Sequence, residues 1–501
     1  MNSAKPISKD PVALGTVLEE SNAVVVPAED GAISWRERWI PFFKSLSLEF
    51  ILFFYTTTFA MRFVVTQQLF IAKSCLSSYP DDVCDRLDLQ NATVRDNVTK
   101  IANVHNLLLV LSEFVPASVV SVFLSSWYDK HGNRIPLLFN LAGAAILDSG
   151  TILTVVFFRT PMYVNVLLGL VCGMTGGMVC MTAIVESNAS RSSREDMRAV
   201  KFLFVMSALL VGVQTGQLLS GELYSAGGYL PVYCVSVGLV MFSLGMVVVF
   251  NVGTSDSSAG WRGMLKDLRV GNFKEGFDAA FGWRPHGLRH RLCLLALSLG
   301  VILFNAETGK GISFYYTLKR FHWSVTEYSN LSAGFGALDI LCSGLFITVC
   351  SRLLGAHDLV MALVGISSMT AFLVIKGLSY YTWMYYMGCA LGCLTSVAPV
   401  AILAHVSKLI SKDEAGKVFS FWSSCESLVP IAGNVFASLV FNSVLEINPG
   451  LPFFISAGLM AVPFIAITYC LYRGLVVYRS LEDNPDVAVR PNAAPYNARV
   501  T

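Results

Sequence analysis

Charge is scarce in this chain: of its 501 residues only 14% are Asp, Glu, Lys or Arg, against 54% that are apolar. The 36 basic and 34 acidic side chains nearly cancel to a net charge of +2, and no block of like charge occurs, so neither a nucleic-acid surface nor a charged interaction tail is indicated. Signatures of catalysis are missing as well. There is no Walker loop, no H-E-x-x-H, no G-x-S-x-G on a strand and no Cys/His spacing for a metal, so the expectation is a protein that is not an enzyme and has no metal or cofactor. The first 44 residues lack the short apolar core and cleavage site of a secretory signal; Lys5, Lys9, Glu19, Glu20 and Asp30 are scattered among Pro and Ser instead. The first apolar segment is therefore expected to act as an uncleaved signal anchor.

What the chain has in quantity is apolar sequence, at a mean hydropathy of +0.59. A bilayer core of about 30 Å needs roughly 20 apolar residues per helix, because a helix satisfies its own backbone hydrogen bonds in lipid. Segments of this kind fall near 46–70, 104–127, 135–158, 162–186, 200–223 and 229–252, and again near 292–316, 330–353, 357–376, 380–405, 416–443 and 451–474. The expected fold is an all-α polytopic membrane protein with twelve transmembrane helices in two six-helix bundles, 46–252 and 292–475. Cytoplasmic segments are expected at 1–45, 253–291 and 476–501. This topology puts most Lys and Arg inside, the central loop alone holding Arg262, Lys266, Arg269, Lys274, Arg284, Arg289 and Arg291.

The loop at 72–103 differs from the others. It carries Cys75 and Cys84 together with two glycosylation sequons, Asn91-Ala-Thr93 and Asn97-Val-Thr99, a combination that marks an oxidising, non-cytoplasmic compartment. A Cys75 to Cys84 bridge and two free thiols both remain open; the other cysteines sit in apolar segments and read as packing residues.

The halves are also alike. Ser193-Arg194-Glu195-Asp196 precedes Val200 at the start of the fifth segment, and Ser411-Lys412-Asp413-Glu414 precedes Val418 at the same offset before the eleventh. A duplicated six-helix unit encloses a site near the bilayer midplane that can open alternately to either side. The competing reading is a membrane receptor or scaffold that has the same architecture but moves no solute.

Ionisable residues inside spans are costly, by about 2.5–3.5 kcal/mol on insertion scales, and so are candidates for function. They are Arg62 (with Gln67 and Gln68) in the first segment, Glu113 in the second, Asp148 in the third, Glu307 and Lys310 in the seventh, Asp339 in the eighth and Glu426 in the eleventh. Arg62 suits an anionic group on a solute, since guanidinium binds carboxylate or phosphate with two donors; as a plain alternative it reaches to the outer surface. Glu113, Asp148 and Glu426 suit a coupled proton or an interhelical hydrogen bond. Glu307 and Lys310, three apart, form a switch or a permanent ion pair near the outer end of their span. Tyr385 stands in an aromatic group, Tyr380 to Tyr386, that reads as an interfacial belt with Tyr385 deep enough to stack on a planar solute. Gly169, Gly173, Gly176 and Gly177 in the fourth segment, and Gly388 and Gly392 before Pro399 in the tenth, read as hinges or as close-packing positions.

Between the second and third segments the chain reads Asp129-Lys130-His131-Gly132-Asn133-Arg134, which resembles the D-x-x-G-R-R gating signature of the major facilitator superfamily, with Asp129, Gly132 and Arg134 in the matching places. More narrowly, the chain resembles solute carrier family 46, the proton-coupled folate transporter family. Ser407-Lys408-Leu409-Ile410, Gly416-Lys417-Val418-Phe419 and Pro449-Gly450-Leu451-Pro452-Phe453-Phe454 carry that likeness, along with the glycosylated first outer loop. The resemblance implies a proton-driven symporter for organic, often anionic, solutes such as folates or pterins, amphipathic conjugates or muropeptide-like molecules. Met206 and Leu403 stand where the folate transporter has a glutamate and an arginine, a departure that bears on solute choice. The expected partners are a small-molecule solute and membrane lipid, with no nucleic acid and a monomeric state. The plasma membrane is the expected location and the lysosomal membrane the alternative.

Overall fold

Apolar runs that must satisfy their own backbone in lipid become long helices, and several of these outgrow the runs that predict them. The structure, a computed structural model, describes residues 46–131, 134–192, 198–249, 288–410 and 412–482; the side chains of 88, 122–131, 190–192, 198–200, 202–203, 412–427 and 474–482 lie outside the description. The matching loops around 193–200 and 411–418, most of the central loop, and Asp129, Gly132 and Glu426 among the candidate side chains fall there.

Twelve spans are present among the described residues. Spans 1 to 3 are Ser47–Ser78, Ala92–His131 and Arg134–Val156; span 4 is broken into Tyr163–Met174 and Gly177–Ser192; spans 5 and 6 are Arg198–Gly227 and Tyr229–Val249. Spans 7 to 9 are Leu288–Phe321, Val325–Arg352 and Asp358–Leu378; span 10 is broken into Thr382–Leu391 and Val397–Leu409; span 11 is Lys412–Val444; span 12 is broken into Leu451–Leu459 and Ala461–Glu482. Ten of the spans are long and apolar enough to cross a membrane by length and composition; span 10 and the part of span 11 from Leu428 to Val444 are shorter apolar pieces.

The segment expected as a long outer loop is largely helical. Span 1 runs on to Ser78, a short turn follows at Asp81–Cys84, and span 2 begins at Ala92, immediately after the asparagine of the first sequon. Polar residues on a helix that projects beyond the bilayer carry no apolar signal, which is why 72–103 reads as loop. Cys75 and Cys84 are joined in a disulfide that ties the end of span 1 to that short turn. Asn91 and Asn97 are both exposed. The end of the molecule bearing the bridge and the sequons is called the outer end below.

Packing follows one pattern twice. Span 1 packs on span 5 and span 7 on span 11; span 3 packs on spans 4 and 6, and span 9 on spans 10 and 12; span 5 meets span 8 and span 2 meets span 11 across the middle. Capping repeats too. Lys73 of span 1 donates to the carbonyls of Thr154 (2.8 Å) and Thr160 (3.1 Å) at the outer end of span 3, and Tyr316 of span 7 donates to those of Lys376 (2.7 Å) and Ser379 (3.1 Å) at the outer end of span 9. Each satisfies carbonyls that a helix terminus leaves without partners.

The breaks in spans 4 and 10 fall at the glycines singled out in the sequence. Gly176 and Gly177 have φ of 105° and 49°, a left-handed conformation that costs a side-chain-bearing residue but not glycine. One turn earlier, a Cβ on Gly173 would lie 2.5 Å from the Glu113 carbonyl oxygen, so glycine is what allows span 4 to lie against the backbone of span 2.

Candidate functional site

Three of the isolated charges in the first half meet at one point. Span 1 places Arg62, span 2 Glu113 and span 3 Asp148, and the guanidinium lies 2.5 Å from Glu113 Oε1 and 3.4 Å from Asp148 Oδ1. Their side chains are 8%, 7% and 0% exposed, which rules out the reading of Arg62 as a surface-reaching helix-end arginine. Ser236 of span 6 donates to Asp148 Oδ2 at 2.5 Å, and the Cys172 thiol of span 4 lies 3.8 Å from Glu113 Oε1. Phe59 presents its ring to the guanidinium at 5.3 Å.

The charge count at this point is what matters chemically. Two carboxylates against one guanidinium leave one negative charge in excess when all are ionised, and water is too scarce there to screen it. Taking up one proton makes the set neutral. A cavity of about 40 Å³ adjoins the cluster, lined by Arg62 and Glu113 together with Thr66, Asn106, Thr151, Asn165 and Tyr233. It admits a few water molecules and no organic solute.

The other candidates are elsewhere. Glu307 and Lys310 form a 2.7 Å ion pair on span 7, with Lys310 66% exposed. Span 7 continues to Phe321, so the pair sits along the middle of the helix rather than near its outer end as the apolar run suggests. Asp339 of span 8 accepts from Ser396 Oγ (2.6 Å), Ser396 N (3.3 Å) and Ser343 Oγ (3.1 Å), and so caps the inner piece of span 10 at its break. Tyr385 is turned into the second half: it is 5% exposed and meets Trp323 and Phe321 at ring distances of 5.2 and 5.9 Å, where it is not available to stack on a solute. Tyr380, Tyr381 and Trp383 are exposed, as a belt requires. Arg134 opens span 3, with its gating partners outside the described residues.

Lys376 is a residue the sequence reading missed. It closes the ninth apolar run, where a lysine reads as a topogenic end charge. Instead it is 3% exposed, donates to Ser313 Oγ at 2.5 Å, and lies 4.7, 5.0 and 5.4 Å from the rings of Phe453, Phe372 and Tyr385. Each half thus buries a cation, but only the first half supplies carboxylates to it among the described residues.

At the outer end the halves are bound together. Lys100 of span 2 pairs with Glu446 at 2.5 Å, Lys319 of span 7 pairs with Asp96 of span 2, and Asn103 donates to Asn442 Oδ1 at 2.8 Å. Between spans 5 and 8, Thr326 donates to the Gly221 carbonyl at 3.0 Å and Asn330 to Glu222 at 2.8 Å. The structure is therefore of a state shut on the outer side.

The chain has relatives among known transporters. No protein-family model matches the chain. It is 24% identical over 441 residues to a probable peptidoglycan muropeptide transporter of Drosophila melanogaster, covering 81% of this chain and 82% of that protein. It is 22% identical over 393 residues to the lysosomal proton-coupled steroid conjugate and bile acid symporter SLC46A3 of Mus musculus, covering 76% and 82%. With the proton-coupled folate transporter of Rattus norvegicus it shares 23% identity over 353 residues, covering 69% and 74%. Among solved structures, the human organic anion transporter MFSD10 superposes with a TM-score of 0.58 at 15% identity over 84% of this chain and 98% of that one. A POT family transporter bound to 5-aminolevulinic acid gives 0.59 at 12% identity over 85% and 95%.

Proposed function

We propose that this chain, a multi-pass membrane transporter of the major facilitator fold and a homologue of the solute carrier family 46 transporters, is a proton-coupled symporter whose proton site is the Arg62–Glu113–Asp148 cluster. The observation that carries the reading is the odd carboxylate: one guanidinium faces two buried acids, so the set binds a proton to become neutral and releases it when the arrangement loosens. Such a site has two charge states of similar energy, which is what coupling to a gradient requires. The names of two of the relatives also speak of proton coupling.

The solute is an organic, often anionic molecule taken between the halves, where the exposed Lys310 offers a cation and Glu307 holds it in the absence of solute. Folate or pterin, an amphipathic conjugate such as a bile acid, and a muropeptide are the classes to test. The carrier works in the plasma membrane in this reading, with the lysosomal membrane as the alternative. Alternating exposure arises from rocking of residues 46–252 against 292–475, with the latch of Asp129, Gly132 and Arg134 on the inner side, and Asn91 and Asn97 carry glycans. The chain acts as a monomer.

The test is uptake of labelled folate, muramyl dipeptide and taurocholate into cells expressing the chain, at about pH 5.5 and about pH 7.4 outside, where a coupled carrier responds to the gradient. Acid outside is expected to speed uptake, and Glu113→Gln or Asp148→Asn to remove most of that acceleration, on the order of tenfold. Transport by the wild-type chain that ignores the proton gradient overturns the symport reading and leaves the fold untouched.

A further inference from the structure

The small cavity beside the cluster is polar on one side of the charges and apolar on the other, where Phe59, Phe114 and Leu147 line it. Its polar lining lies outward of the charges on every helix that contributes: Thr66 is one turn beyond Arg62 on span 1, Thr151 lies beyond Asp148 on span 3, and Asn106 precedes Glu113 on span 2. Asn165 stands in the first turn of span 4, next to Tyr163, which is 61% exposed at the outer end. Inward of the charges the same helices contribute Leu52, Leu141, Ala144, Cys180 and Met181, all 0% exposed in one apolar cluster. The cluster therefore has polar lining on its outer side and closely packed, mainly apolar side chains on its inner side.

The lining has unmet hydrogen bonds. Asn165 is 1% exposed; its amide nitrogen donates to Thr154 Oγ1 at 3.2 Å and lies 3.5 Å from Thr151 Oγ1, while its Oδ1 has no partner among the described residues. A buried amide oxygen beside a cavity of water size is satisfied by water, since leaving it bare costs about 1–3 kcal/mol. The groups that face Glu113 are Arg62 and Tyr55 from span 1, Asp148 from span 3 and Cys172 from span 4, with Ser236 and Tyr233 of span 6 on the far side of Asp148.

We infer that this cavity is a water-filled branch through the first half that brings the coupling proton from the outer side to Glu113 while the passage between the halves is shut. Solute and proton then travel by different routes, the solute between the halves and the proton within one of them. The apolar seal on the inner side keeps the branch from being a leak. Asn165, Thr151 and Asn106 position the water and are not themselves proton carriers. The inference rests on the cluster being the proton site, and the experiment separates the two.

Two measurements test it. Radiolytic hydroxyl-radical labelling of the purified full chain marks buried side chains only where bound water lies beside them. Tyr233, which lines the cavity and is 1% exposed, is expected to be labelled well above Phe441, which is 0% exposed and away from it; equal labelling overturns the proposal. The second is proton-driven accumulation against solute counterflow in proteoliposomes, using whichever of labelled folate, muramyl dipeptide or taurocholate the wild-type chain carries. Asn165→Leu and Thr151→Val, which dry the cavity without touching a charge, are expected to cut accumulation about tenfold and leave counterflow near wild type. Asn165→Ser, which keeps a polar group and enlarges the space, retains both and stands in if the larger variants do not fold. If Glu113→Gln abolishes coupling while the two drying variants leave it intact, the branch is wrong and the proton site stands; if none of them alters coupling, the proton site falls as well.

Discussion

Removing the guanidinium from Arg62 leaves Glu113 and Asp148 facing one another in a space with little water, and their mutual repulsion has no cation to relieve it. Arg62→Met is therefore expected to destabilise the solubilised protein by about 3–5 kcal/mol, the usual consequence of stripping one partner from a buried ion pair. Adding Asp148→Asn to it should return part of that loss, because a neutral amide still accepts from Ser236 and no longer repels Glu113. Thermal unfolding in detergent gives both numbers, and an unchanged midpoint for Arg62→Met would show that the three side chains do not hold one another. Lysine at the same place is no full substitute, since its donors share one nitrogen, whereas Arg62 meets Asp148 with one guanidinium nitrogen and Glu113 with another. The three members of the cluster were visible in the sequence as costly charges, one in each of the first three spans. Their meeting was not, because span 1 is buried on nearly every side and shows no apolar period from which a facing direction can be read. Lys376 was hidden for a different reason: a lysine at the end of an apolar run looks like every other lysine that marks a membrane boundary.

Among the elements, span 4 decides how well the proposed proton site is held. Its outer piece lies against the backbone of span 2 at Gly173, beside the Glu113 carbonyl, and its inner piece restarts at Gly177 after the left-handed turn. Gly173→Ala would push the two helices apart, at about 1–3 kcal/mol for forcing a methyl into a filled contact. Because the displaced backbone is that of Glu113 itself, the pH dependence of transport is expected to shift along with the unfolding midpoint; a variant that loses stability and keeps the wild-type pH profile would mean that span 4 only packs. The break was legible in the run of glycines, since glycine adopts the positive φ found there without the cost a side chain brings. The helical extension of spans 1 and 2 beyond the bilayer was not legible, because the hydropathy that announces a span ends where the lipid ends and the helix does not.

At the level of the whole molecule, the outer closure predicts a trapped state. Asp96→Cys with Lys319→Cys replaces an ion pair between the halves by a potential cross-link, and oxidation of that pair is expected to stop net transport by at least about tenfold, reversed by reductant. Full transport after verified cross-linking would show that the halves need not separate there. Acidity alone does not undo this end. Lys100 holds Glu446 below the ordinary glutamate range of about 4.3, so the pair is intact above that value and is lost only as pH falls through the depressed one. At roughly pH 5 the Lys100–Glu446 pair stays charged, and in the proposed reading acid acts on the cluster inside the first half instead. Salt is the variable that should loosen it, seen as greater access of a membrane-impermeant maleimide to a cysteine at Asn442 as ionic strength rises.

The same outer seam sets the energy of opening. Its polar contacts between spans 2 and 11 and between spans 5 and 8 are amides, hydroxyls and ions, groups that water receives almost as readily as they receive each other. Behind them lies an apolar layer shared by both halves, with Phe70, Val98 and Ala102 from the first and Phe314, Tyr315 and Phe441 from the second, so parting the seam also uncovers oily surface. A door with a wettable rim and an oily backing needs something to lean on it, and in the proposed reading that push comes from the proton taken up behind it.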